Sequence, residues 1–204
     1  MKINESGRSM VEMLGVLAII GILSVGGIAG YSKAMFKHKF TKTIDVISYA
    51  INRLIELDNS NLTGFSLTTS QQAHDYDVVP DCDVNSTDGS KCLLPLGEIS
   101  FMIDNNYSHG NNIAGVINIS FLQNPHESCI AFWNSEIYKI VPDSWWNYGM
   151  IGVTGADIIY AKSEHKNLPT DTKSEFTVTD IVKACEPCIN ANNCAIEWVM
   201  GVNG

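Results

Sequence analysis

Gly7-Arg8-Ser9-Met10-Val11-Glu12-Met13-Leu14-Gly15-Val16-Leu17-Ala18-Ile19-Ile20-Gly21-Ile22-Leu23-Ser24-Val25-Gly26-Gly27-Ile28-Ala29-Gly30-Tyr31 is the stretch whose reading decides the fold. From Met13 to Ala29 it carries no charge, and only glycine and serine interrupt the apolar run. Coiled at about 1.5 Å per residue, Met10 to Tyr31 spans roughly 32 Å, enough to cross a hydrocarbon core. One acid, Glu12, stands at the leading edge. Facing lipid without a partner, a carboxylate there costs on the order of 3 kcal/mol. The small residues Gly26 to Gly30 offer a secretory cleavage site. An ordinary signal peptide, however, places a basic region against its apolar core and has no use for an acid there.

The helical pattern continues beyond the apolar run. Phe36, Phe40, Ile44, Ile47, Ile51 and Leu54 recur at steps of four and three, with Lys37, Asp45, Ser48, Asn52 and Arg53 on other faces. That spacing is an amphipathic helix, and no proline interrupts it. One helix from about Ser9 to Leu57 is expected, ended by Asp58-Asn59-Ser60-Asn61. Gly26-Gly27 is its weak point, since each glycine lowers helix propensity by about 1 kcal/mol. The pair suits either close packing of helices or local unwinding.

A short polar leader ending in Gly7, four residues, Glu12 and then an unbroken apolar helix resembles the class III signal of type IV prepilins and pseudopilins. Val25-Gly26-Gly27-Ile28, and a tyrosine followed by Lys33, look most like the type IVb branch. The likeness is close through Lys33 and only in outline beyond it. It implies cleavage after Gly7 by a membrane-embedded prepilin peptidase, leaving Arg8 as a new N-terminus and candidate for N-methylation. Arg8 departs from the Phe, Met or Leu usual at that place. The resemblance further implies that Glu12 pairs with a neighbouring subunit's N-terminal amine during assembly. The physics is consistent: cleavage makes a cation, and a carboxylate paired with it across subunits offsets its burial cost.

Charge and cysteines set the compartment. The net charge of −9 over 204 residues argues against nucleic acid as a partner. Six cysteines, Cys82, Cys92, Cys129, Cys185, Cys188 and Cys194, all follow the apolar run. An even number outside the span suggests disulfides formed in an oxidising space. Positive charge points the other way. Lys33, Lys37, Lys39 and Lys42 follow the span, against Lys2 and Arg8 before it, which by itself puts the following domain in the cytoplasm. The cysteines and the prepilin-like signature together place that domain on the periplasmic side of a bacterial inner membrane. In type IVb pilins a mid-domain cysteine pairs with one near the C-terminus, which implies Cys129–Cys185. Cys82–Cys92 and Cys188–Cys194 are then the local pairs, although six cysteines leave other connectivities open. Cys185-x-x-Cys188 with Cys194 is also a possible thiolate set for zinc, and Cys185-Glu186-Pro187-Cys188 a possible redox motif. Neither has its supporting context, and no metal or cofactor is expected.

The rest of the chain reads as an α+β head. A polar connection is expected up to about Lys91, including Asp81 to Gly89, whose oxygen spacing only loosely resembles a calcium loop. Gly115 to Phe121 alternates like a strand. Asn124-Pro125-His126-Glu127 starts a helix, with Asn124 as cap and Cys129, Ile130 and Trp133 facing inward. Glu136 to Val141 reads as a β-run, Trp145 to Gly149 as an aromatic turn, and Asp157 to Ala161 as a strand. Thr179-Asp180 can cap a short helix through Ala184, and Ala195 to Met200 reads as a last strand. Ser128 is expected to face solvent, and Trp145 with Trp146 to form either core or an exposed binding patch.

Enzyme motifs are missing from the sequence. His38, His74, His109, His126 and His165 are scattered with no metal-ligand spacing, and neither a nucleophile elbow nor a P-loop occurs. No catalytic residue is assigned.

The expected organisation is therefore a leader at 1–7, a transmembrane and assembly helix at 8–31, its amphipathic continuation at 32–57, and a disulfide-bonded antiparallel head at 58–204. The expected function is a structural, type IVb-like pilus subunit. Its expected partners are other copies of itself, the prepilin peptidase and the inner-membrane assembly machinery. It would be held in the inner membrane before assembly and be part of a cell-surface pilus afterwards. A minor pilin or a type II secretion pseudopilin fits the same residues. A membrane-anchored, disulfide-rich binding module that never polymerises is the alternative of another class.

Overall fold

The computed structural model describes residues 10–59, 66–80, 82, 89, 91–104, 114–142, 145–152, 158–162 and 177–202. The first element is a single 50-residue helix, α1 (Met10–Asn59), close to the expected span. Helix formers and the absence of proline carry it through Gly26-Gly27 without a break. Glu12 lies in its first turn, where a carboxylate complements the helix dipole. By its contacts the chain divides into two units, Met1–Lys39 and Phe40–Gly204.

Within the second unit, α1 buries Thr43, Ile47, Ala50, Ile51, Leu54 and Leu57. The expected stripe holds at Ile47, Ile51 and Leu54, where Thr43, Ala50 and Leu57 join it, but not before Ile47. Phe36, Phe40 and Ile44 are only half-buried. Steps of four drift by about 40° each at roughly 100° per residue, so Ile44 falls at the margin of the buried face. The seam from Thr43 to Leu57 mixes steps of four and three and stays centred.

The remaining elements are β1 (Ser66–Leu67), α2 (Ser70–Asp75), β2 (Lys91–Leu94), β3 (Gly97–Asp104), β4 (Ala114–Phe121), α3 (Pro125–Asn134), β5 (Trp145–Gly152), β6 (Ile158–Lys162), α4 (Val178–Cys185) and β7 (Cys194–Val202). The described part is α+β. Its seven strands form one antiparallel sheet in the order β1-β3-β4-β7-β5-β6, with β2 paired to β3. Register aligns one buried row after another: Ile99 opposite Ile119 opposite Ile196, then Phe101 opposite Ile117 opposite Trp198. The period of two puts these residues on one face, while Ser100, Asn118 and Glu197 form a half-buried polar row on the other. Helix α3 covers the apolar face. Its Phe132 ring stands 6.0 Å from Phe121 and 6.3 Å edge-on to Trp198.

Several local expectations are corrected. The region before Lys91 holds β1 and α2, the latter with a capping box between Thr69 and Gln72. Pro95-Leu96 then turns β2 back onto β3 in a hairpin that the sequence reading missed. The first position of β3 needs glycine, Gly97, because a β-carbon there would run into the Ser120 carbonyl of β4. Helix α3 starts at Pro125, but Asn124 has φ 46° and its side chain makes no cap; only its carbonyl accepts, from Ser128 N at 2.8 Å. Cys129 and Trp133 are inward as expected, whereas Ser128 and Phe132 replace the half-buried Ile130 on that face. Ser128 is buried rather than solvent-facing, with its hydroxyl donating to the Gln123 carbonyl at 2.9 Å.

Ile137–Ile140 is a 3-10 turn, not a strand. Its first two residues, Ile137 and Tyr138, are both buried, which a strand with alternating faces would not allow on a one-sided sheet. Trp145 to Gly149 belongs to β5, where pairing with both β7 and β6 overrides the local turn signal. The cap of α4 is Thr177, with Asp180 reaching back to Thr177 N at 3.0 Å. The residues of the calcium-like stretch, apart from Cys82 and Gly89, lie outside the described residues.

Candidate functional site

The first half of α1 is apolar all round rather than on one stripe. Leu14, Leu17, Ile19 and Ile20 point in different directions, yet all are exposed. Further along, Ile22 is 74% exposed, Val25 71% and Ile28 70%. Such a helix satisfies its own backbone but leaves its side chains without an apolar surrounding. Each large apolar side chain moved out of water gains about 1.5–3 kcal/mol, so this surface strongly favours a second apolar environment. It is one helix long and apolar enough to cross a membrane. A β-carbon built at Gly15, Gly21, Gly26, Gly27 or Gly30 would meet nothing within 4 Å, so these glycines serve no close packing within the described chain.

Of the residues assigned to processing and assembly, Glu12 is exposed in the first turn of α1, at the entrance to the apolar run. Gly7 and Arg8 lie outside the described residues. Lys33 and Lys37 are exposed on α1 just beyond the run.

The second half of α1 is tied down by polar contacts. The Tyr49 hydroxyl donates to an Asp77 carboxylate oxygen at 2.7 Å, and Arg53 Nε donates to the Tyr76 carbonyl at 3.1 Å. Asp77 takes φ 56° in the turn after α2, a left-handed conformation that Asp tolerates better than most residues. The hydrogen bond to Asp77, then desolvation and the nearby carboxylate charge, raise the Tyr49 phenol above its ordinary value of 10.0; Arg53 opposes this weakly. Tyr49 lies beyond the apolar run, in the half of α1 that belongs to the second unit.

The cysteines form three bridges: Cys82–Cys92, Cys129–Cys185 and Cys188–Cys194. These are the pairs expected above, and Cys129 and Cys185 do lie on short helices, α3 and α4. What the sequence reading missed is how close two of the bridges lie. The Sγ atoms of Cys129, Cys188 and Cys194 are all within 4.8 Å of one another. The Cys185-x-x-Cys188 spacing was the one available hint, because it ties the two bridges together by a single turn of chain. The described histidines, His38, His74 and His126, stand on three different helices. Trp145 and Trp146 open β5 opposite Val202 and Gly201, and their side chains lie outside what is described.

No protein-family model matches this chain, and neither does any curated protein or solved structure.

Proposed function

We propose that the chain is a type IV pilin-like structural subunit, closest to the type IVb branch, and not an enzyme. The observation that carries this reading is the continuity of α1: an exposed, all-round apolar half led by Glu12 runs unbroken into a half with one buried seam. A simple anchor needs the first half only. A filament subunit needs both, because the apolar half must serve first in lipid and then among neighbouring helices.

In this reading the peptidase cuts after Gly7, and Arg8 becomes the N-terminus and the methylation candidate. Before assembly the subunit waits in the inner membrane with its head in the periplasm. The buried seam of α1 fastens the helix to the antiparallel head in the manner of a pilin. In the filament Glu12 pairs with a neighbour's terminal amine, an apolar bundle replaces lipid, and the heads coat the cell-surface pilus. Three disulfides suit a domain exposed outside the cell.

N-terminal sequencing and intact mass of the protein from native membranes test this directly. Loss of residues 1–7, with or without one methyl group, is the expected result. A cut near Ala29 overturns the proposal, and an intact leader points instead to an anchored binding module.

A further inference from the structure

Basic residues are concentrated at one place in the chain. Lys33, Lys37 and Lys39 follow the apolar run within two turns of α1, with Lys42 next in sequence. No acid stands between Glu12 and Asp45. After Lys42 the chain carries seven basic against twenty acidic residues, so the cluster is no average sample of the surface. Lys33 and Lys37 are exposed and Lys39 is half-buried. All three belong to the first unit, Met1–Lys39.

At about 100° per residue, Lys33 and Lys37 share one side of the helix, and Lys39 lies roughly 200° around from Lys37. The charges therefore make a collar, not a stripe. Along the axis they fall about 3–12 Å beyond Tyr31. A headgroup layer is roughly 5–8 Å deep on each side of the hydrocarbon core. Tyr31 is exposed at the end of the apolar run, where a ring with one polar end suits the membrane interface. Side chains on a helix lean toward its N-terminus, so these lysine stems lean back toward the apolar run.

We propose that Lys33, Lys37 and Lys39 form a docking collar for the anionic headgroups of membrane phospholipids. The inference rests on α1 spanning a membrane, but not on the filament reading or on the side where the head lies. Each lysine ammonium brings a compact charge and three donors to a lipid phosphate. A zwitterionic headgroup carries its own ammonium, so the collar selects lipids with net negative charge. Near an anionic surface each lysine favours binding by a factor of roughly five. Placed on two sides of the helix, the collar fixes how deep α1 sits without fixing which way it faces.

The test uses the full chain reconstituted from detergent into phosphatidylcholine vesicles holding a minor share of phosphatidylglycerol. Spin-labelled lipids of each kind report, by electron paramagnetic resonance, which headgroup the protein keeps at its surface. Phosphatidylglycerol should be preferred by about two- to fivefold, the weight of one lysine or less once averaged over the lipid shell. Salt at about 1 M should abolish the preference, because it screens charges beyond roughly 3 Å. The triple variant Lys33→Gln, Lys37→Gln, Lys39→Gln should lose the preference at low salt. Lys91→Gln, Lys139→Gln, Lys183→Gln removes the same charge from the second unit and should keep it. Carbonate extraction checks insertion in every sample, and protein that it removes refutes the spanning reading itself. Inserted protein with no preference, or with one that the collar variant retains or both variants lose, overturns the collar alone. Lysines bound instead to the acidic second unit of another copy would give carbodiimide-linked dimers and no lipid preference, which overturns it too.

Discussion

The far edge of the Trp133 indole on α3 occupies the space beside Gly149 of β5 that a β-carbon would fill. Trp133 is buried and also stands 5.3 Å edge-on to Phe132 and 5.9 Å from Tyr138. Helix and sheet therefore meet through a ring set onto bare backbone, and the ring's neighbours give it little room to retreat. Gly149→Ala is expected to destabilise the head by about 1–3 kcal/mol through overpacking, outweighing the small gain from replacing a strand glycine. Urea midpoints measure this. Adding Trp133→Phe should recover part of the loss, and a double-mutant cycle with no coupling would mean that the ring is not the obstacle.

The bridges differ in the loops that they close. Cys129–Cys185 spans 56 positions and Cys82–Cys92 spans 10. On chain-entropy grounds the first contributes about 4 kcal/mol and the second about 3. Paired alanine replacements should thus lower the thermal midpoint more for Cys129 with Cys185 than for Cys82 with Cys92. The reverse order would argue that local packing, not loop closure, sets the contribution.

The contact between Tyr49 and Asp77 is expected to weaken at alkaline pH. The folded phenol holds its proton above 10.0, chiefly because its hydroxyl donates to Asp77. A raised folded value means that the pair stabilises fully below pH 10.0 and loses its contribution as pH rises through the folded value. Tyrosine ring NMR against pH should show Tyr49 ionising late, and Asp77→Asn should bring it back toward 10.0. Asn keeps the tolerance for φ 56° at that position, so the backbone is not the variable.

If the chain assembles into filaments as proposed, Glu12 is expected to matter for assembly and not for membrane insertion. Glu12→Ala should leave membrane fractionation unchanged, because the apolar run after it is intact. Filament yield, scored by electron microscopy of sheared surface material, is expected to vanish. Normal filaments from this variant would refute charge pairing as the source of register.

The residues show why some of this was legible in the sequence and some was not. The apolar run, the single acid at its head and the period of the following residues are local properties, so α1 could be read nearly to its last residue. The strand at Gly115–Phe121, the helix at Pro125 and the final strand likewise carry their own periodicity or breaker. Other features have no local signature. Trp145 to Gly149 looks like a turn until β6 and β7 pair with it on both sides. Ile137 and Tyr138 look like a strand until both are seen buried together. Thr43 lies in the seam of α1 only because the second unit closes around it.

The cysteines divide the same way. Their number and their position after the apolar run already called for disulfides. The convergence of Cys129, Cys188 and Cys194 within 4.8 Å is a product of tertiary structure, since it needs α3 and the start of β7 to meet although 65 positions of chain separate Cys129 from Cys194. Sequence alone determined a long helix with an all-round apolar half and an amphipathic half, because hydrophobic periodicity is written residue by residue. Only the folded sheet decided which sulfurs, rings and glycines share a site, because those contacts depend on strand register and helix docking.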